Sequence, residues 1–188
     1  VPKVVDHRER RSELAAAVWR VIGRDGVAHV SIRAVATESG WSSGALRHYF
    51  ATRDELLAFA CEHVIDKVTA RLEALPTDGP VRDAVRRVLL ETMPVDVARH
   101  TEASIVFSFL ALGLGDAELA RVQRLHFTGM YELCLRLSGD RPAVARRMHA
   151  LVDGLTVHVL AGHLTVPEMI AGLDAFLDEV YSSKPPVQ

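Results

Sequence analysis

Between Ser31 and Phe50 the chain places Arg47, His48 and Tyr49 shortly after Ser42, Ser43 and Gly44. An arginine guanidinium is a planar fork of donors that bonds guanine O6 and N7 together, a contact worth about 1–3 kcal/mol of base discrimination. His48 and Tyr49 suit phosphate oxygens, which position a protein on a duplex without reading its sequence. The small residues ahead of Arg47 permit close approach to the duplex. Thr52 and Arg53 open the next helical pattern, where backbone N–H groups and the helix dipole favour an anion. Ser31 and Arg33 complete the candidate contact set.

Other chemistry is poorly supported. No Gly-rich phosphate loop, nucleophile elbow or framed carboxylate pair occurs, and Ser104 and Ser108 near His100 are scattered polar residues, so an enzyme is not expected. Nine histidines raise a metal question. His149 and Asp153 stand at i, i+4, a spacing that can put two ligands on one helix face. His158 and His163 at i, i+5 are poorly aligned, and His126 stands alone. These read as satisfied core or surface histidines, so neither a metal nor a cofactor is expected.

Two short helices must position the Arg47 group. Ser31 is an N-cap for a helix through Glu38 or Ser39, Gly40 breaks it, and Ser42 caps a second through His48 or Tyr49. Two short helices joined by a Gly-containing turn form a helix-turn-helix, whose second helix enters the major groove. Ile32, Val35 and Ala36 give the first helix an inward face. Leu46 and Phe50 anchor the second, leaving Ser42, Ser43, Gly44, Arg47 and His48 outward.

Spacings of three and four recur along the chain and strand-like alternation does not, so the fold class is all-α with about nine helices. The first helix spans roughly Asp6–Arg24, with Leu14, Val18 and Ile22 on one face. Thr52 and Glu55 form a capping box opening a long helix to about Leu75. The cluster Pro76-Thr77-Asp78-Gly79-Pro80 is the strongest turn signal. Further helices are predicted near Val81–Thr92, Val97–Leu112, Asp116–Leu137, Pro142–His163 and Pro167–Ser182, with a fraying tail at Lys184-Pro185-Pro186. The expected division is an N-terminal domain over 1–52 and a C-terminal domain over 53–188.

Composition fits this scheme. Hydrophobic residues at 49% and charged residues at 24% are the mixture of an ordinary globular protein rather than a disordered one. No apolar run reaches the roughly 18–20 residues that span a bilayer, so no membrane partner is expected. The two cysteines, Cys61 and Cys134, lie in apolar helical patterns and read as buried hydrophobes in a reducing compartment. With no secretory pattern in the first residues, a cytoplasmic location is expected. The net charge of −2 argues against a generic polyanion binder. However, Lys3, Arg8, Arg10 and Arg11 cluster ahead of the first apolar face, where a flexible basic arm can follow phosphates.

The run Ser31-Ile32-Arg33-Ala34-Val35-Ala36, then Gly40-Trp41-Ser42-Ser43-Gly44-Ala45-Leu46-Arg47-His48-Tyr49-Phe50, then Arg53-Asp54-Glu55-Leu56-Leu57, resembles the DNA-binding domain of TetR-family regulators. The likeness covers about residues 8 to 65. Trp41, Ser43 and Arg47 depart from the commoner residues, and Arg47 in place of the usual Tyr implies an operator preference of its own. Ala51 replaces a common Pro. The resemblance implies a homodimer on a pseudo-palindromic DNA operator, released when a small-molecule effector binding among the middle helices moves the recognition helices out of register. The implied function is a ligand-responsive transcriptional repressor. An all-α ligand-binding or scaffold protein that no longer binds DNA is the alternative.

Leu151-Val152-Asp153-Gly154-Leu155 and the next helix resemble the BetI-type C-terminal domain, which implies a four-helix bundle between two copies. Leu155, Val159, Ile170, Leu173, Phe176, Leu177 and Val180 would form its apolar seam. For the effector, Phe107, Phe109, Phe127, Met130 and Tyr131 are apolar candidates, with Ser108, Thr128, Glu132 and Thr156 as polar ones. Any of them can equally be plain core.

Overall fold

A computed structural model describes residues 7–76, 78–113 and 119–181, with side chains except at 7–9, 11, 112–113 and 119. Every regular element among them is helical: α1 (His7–Asp25), α2 (Ile32–Ser39), α3 (Ser43–Tyr49), α4 (Arg53–Glu73), α5 (Val81–Glu91), α6 (Val97–Gly113), α7 (Leu119–Leu137), α8 (Pro142–Leu160) and α9 (Val166–Tyr181). A short 3-10 helix, Val27–His29, follows α1. The expected all-α class holds. Lys3, the linker at Leu114-Gly115, the predicted helix start at Asp116 and the tail from Lys184 lie outside the described residues.

The chain divides into two compact units, Val1–Lys67 with Ser104–Gln123, and Val68–Ala103 with Arg124–Gln188. In the first unit, Leu14, Val18 and Ile22 are buried as their spacing predicts. α1 packs on α2, and α2 on α3. Arg20 and Arg24 of α1 both bond the Glu38 carboxylate of α2, at 2.6 and 2.7 Å. These guanidinium bonds, Arg24's first and then Arg20's, hold the Glu38 carboxyl below its ordinary range. Arg8, Arg10 and Arg11 fall within α1 rather than in a flexible arm. α1 begins at His7, ahead of all three.

The second unit has a core of Val85, Leu89, Met93, Met148, Val152, Met169, Leu173 and Leu177, to which α5, α8 and α9 contribute. Thr165 accepts from the Glu168 N–H while the Glu168 carboxylate accepts from the Thr165 N–H, a reciprocal cap that starts α9 at Val166. α8 stops at Leu160, short of the expected His163. Gly162 adopts a left-handed φ of 70°, and the His163 N–H turns back to the His158 carbonyl at 2.9 Å. That closure satisfies the last carbonyls and ends the helix. Cys61 and Cys134 are buried free thiols, pushed up to about 12 by burial. They behave as core hydrophobes, as expected.

Candidate DNA-binding site

The helix-turn-helix is built by local bonds. Ser31 Oγ accepts the Ala34 N–H at 3.1 Å, and Ser42 Oγ accepts the Ala45 N–H at 3.1 Å. Between the helices Gly40 takes φ 73°, a left-handed conformation in which a β-carbon would be strained. Leu46 is fully buried and anchors α3, and Phe50 packs on Phe59 with ring centroids 5.1 Å apart. These two side chains are the expected anchors. Gly44, Arg47, His48 and Tyr49 are exposed, as is Ser42, while Ser43 is half-buried.

Among the described residues, nothing requires glycine at position 44. A β-carbon there would come no nearer than 4.0 Å to Ser42 Oγ. The open space above it is therefore available to another molecule. Tyr49 stands edge-on to Trp41 at 5.7 Å, and the Arg10 guanidinium sits over the Trp41 ring at 5.8 Å. Trp41 thus joins the start of α1 to the end of α3, a role that its position in the turn did not reveal.

The cations near this face divide by what already holds them. Arg20 and Arg24 are committed to Glu38. Among the described residues, Arg33 and Arg47 are exposed and make no ion pair, so both can meet an external partner. Arg53 is engaged: its Nε donates to the Val30 carbonyl at 3.0 Å and Nη2 to the Val27 carbonyl at 2.9 Å. It straps the start of α4 to the loop before α2. The Thr52 hydroxyl accepts the Glu55 N–H at 3.1 Å, and the Glu55 carboxylate accepts the Ala51 N–H at 2.8 Å. The return bond thus reaches one residue further back than a simple capping box. Asp54 and Glu55 put negative charge on the first turn, which offsets the positive end of the helix dipole that a phosphate would seek.

The remaining expected site residues lie elsewhere. In the first unit Phe107 and Ser108 are half-buried. In the second, Phe127 is 42% exposed, Met130 and Tyr131 are half-buried, and the Arg146 guanidinium covers the Tyr131 ring at 5.8 Å. Thr128 and Glu132 face solvent. Thr156 is buried, and its hydroxyl finds no hydrogen-bond partner among the described residues.

Of the residues expected in a seam between two copies, Leu173, Leu177, Phe176 and Val159 are buried in the second unit's own core. Leu155 and Ile170 pack against it, half-buried. Leu155 lies against Gly172, where a β-carbon would come within 3.3 Å of it, so α8 and α9 approach closely there. The surface left open on α8 carries Ala150, Gly154 and Val157, with Ala161 just past its end, and on α9 Ala171 and Ala175.

Residues 14–59 match the model of the bacterial regulatory proteins of the tetR family, and residues 80–182 match the BetI-type transcriptional repressor C-terminal domain. The chain belongs to the TetR family. Over 170 residues it is 38% identical to the HTH-type transcriptional regulator PksA of Bacillus subtilis (strain 168), covering 85% of this chain and 83% of that protein. It is 29% identical to the HTH-type transcriptional regulator BetI of Stenotrophomonas maltophilia (strain R551-3), covering 82% of this chain and 83% of BetI. Among solved structures, a transcriptional regulator from Rhodococcus sp. Rha1 superposes with a TM-score of 0.83 at 27% identity, covering 92% of this chain and 96% of that one. A regulator from Saccharomonospora viridis solved with choline shares the fold with a TM-score of 0.78 at 22% identity, covering 92% and 97%. TetR-family proteins are transcriptional regulators, a class that is not enzymatic. No helix of the described residues is long and apolar enough to cross a membrane.

Proposed function

We propose that this TetR-family regulator is a cytoplasmic repressor that binds a pseudo-palindromic operator as a homodimer and is released by a small-molecule effector. The observation that carries the DNA part is the outward face of α3, where Ser42 caps the helix, Gly44 is open and Arg47 is exposed without an ion pair. A chain that had lost DNA binding would have no reason to keep all three together. Residues 1–52 form the DNA-binding domain in this reading, and 53–188 the effector-binding and dimerisation domain.

Arg47 reads a base, Arg33, Ser43, His48 and Tyr49 contact the backbone, and two copies supply the half-sites. The exposed small residues Ala150, Gly154 and Val157, spaced i, i+4, i+7 along α8, with Ala161 at its C-cap, suit a close helix pairing between two copies, with Ala171 and Ala175 on α9. Leu155 and Ile170 shape that face from beneath. For the effector, the buried unbonded hydroxyl of Thr156 is the polar contact of choice, with Met130, Tyr131 and Phe127 as apolar ones.

A mobility-shift titration with the DNA upstream of the chain's own gene, together with selection from randomised duplexes, tests the reading. It expects a salt-sensitive complex and an enriched inverted repeat. Absence of any sequence-selective complex across salt conditions would sink it. Arg47→Ala should flatten selectivity at one base pair per half-site by about 1–3 kcal/mol without moving Tm. Arg53→Ala should behave differently, because the strap to Val27 and Val30 is lost. Two charge-assisted bonds on a half-exposed guanidinium are worth about 1–2 kcal/mol, so Tm should fall and affinity drop evenly across sequences. Matching selectivity profiles and melting curves for the two variants would contradict these roles.

A further inference from the structure

The sequence pattern leaves His126 alone, yet the fold brings it to α8. One ligand atom from each of His126, His149 and Asp153 lies within 4.8 Å of the other two, all within the second unit. His149 Nε2 is 3.2 Å from Asp153 Oδ2, an approach without the geometry of a directed hydrogen bond. The Phe127 ring flanks the group, with its centroid 5.6 Å from that of His126 and 5.9 Å from that of His149.

We propose that His126, His149 and Asp153 form a three-ligand site for a first-row divalent transition ion, with Zn2+ as the type case. Zinc–nitrogen and zinc–oxygen bonds of about 2.0–2.2 Å place neighbouring tetrahedral ligands about 3.3 Å apart. The His149–Asp153 separation of 3.2 Å already meets that, and the others, within 4.8 Å, need to close by at most about 1.5 Å, which side-chain rotation can supply. Two imidazoles with one carboxylate suit zinc, nickel or cobalt better than magnesium or calcium, which take oxygen-rich sites. The carboxylate brings one negative charge to offset the dication. The three groups are half-buried, so water competes less for them. Cys134 is not among the residues whose ligand atoms gather there. Three protein ligands leave a fourth position for water or for a donor atom of a small molecule. The site stands whether or not the DNA reading holds.

The test uses the tag-free full-length protein, stripped with a chelator and titrated with ZnCl2 against a chromophoric competitor, with CoCl2 as a spectroscopic probe. One ion per chain is expected, with micromolar or tighter affinity, and Co2+ should give the intense visible bands of four- or five-coordination. His126→Gln and Asp153→Asn should each weaken binding at least 100-fold while keeping the metal-free circular dichroism and Tm of the parent. If either variant fails to fold, His149→Gln takes its place in the comparison. Zinc should also raise the parent's Tm but not theirs, because an ion bound only by the native state stabilises it. His158 and His163, with ring centroids 5.0 Å apart, are a competing pair. His158→Gln/His163→Gln should leave stoichiometry and affinity unchanged. Less than about a tenth of an ion per chain, six-coordinate Co2+ spectra, or binding lost with the His158/His163 variant but kept in the others would overturn the proposal.

Discussion

Gly44→Leu should leave the protein fully folded and lower its affinity for the operator at least 100-fold. The two effects separate because of where Gly44 lies. It is in the first turn of α3, exposed, and a β-carbon added there would meet nothing within 4 Å except Ser42 Oγ at 4.0 Å. Leucine is also the better helix former by up to roughly 0.8 kcal/mol in a helix interior, and by less in a first turn. Tm should therefore hold steady or rise slightly. In a complex, the same face must approach phosphate and base edges to about 3 Å, and a leucine side chain would hold the helix off by more than a hydrogen bond can stretch. Gly44→Ala should give an intermediate loss. Fluorescence anisotropy with a labelled operator, paired with thermal melts, checks both halves. An affinity for Gly44→Leu within threefold of the parent would remove α3 from the DNA interface.

Glu102→Ala should destabilise the fold more than either Gly44→Leu or Arg53→Ala. Glu102 in α6 is 4% exposed and receives two bonds from Arg71 of α4, at 2.9 and 2.7 Å. Arg71 also donates to the Glu91 carbonyl at 3.1 Å, and Arg99 pairs with the Glu91 carboxylate at 2.6 Å. This network joins the ends of α4, α5 and α6 within the second unit. Removing one partner of a buried pair costs about 3–5 kcal/mol, because the other charge stays behind. Arg71 keeps some solvent and Glu91, which reduces the expected loss to about 2–3 kcal/mol. For a chain of this size that lowers Tm by roughly 4–12 °C. The double variant Arg71→Leu/Glu102→Leu should recover more than half of the loss, since it leaves no unpaired charge. A single-variant Tm within 2 °C of the parent, by the same conversion no more than about 0.5–1 kcal/mol, would show the network to be ornamental.

Features that depend on a few neighbouring residues were legible from the sequence. Ser31, Gly40 and Ser42 bound the two short helices because each cap is a bond between residues three apart, and Leu46 faces inward because its neighbours at positions 42 to 48 are small or polar. The same locality marked Thr52 and Glu55, although the Glu55 carboxylate reached Ala51 instead of Thr52. The missed end of α8 shows the limit. Apolar spacing ran on to His163, but Gly162 in a left-handed conformation closed the helix first.

Taken by itself, then, the sequence determined an all-α chain and a helix-turn-helix with Arg47 outward, because caps, glycine turns and helical periodicity act over one or two turns. Only the tertiary structure decided which surfaces and charges are already spent. Arg53 is bound to carbonyls of Val27 and Val30, Leu173 and Leu177 fill the chain's own core, and His126 meets His149 and Asp153 from another helix. Each of these pairs residues far apart in the chain. Their meeting is set by how helices pack against one another, which no short spacing encodes.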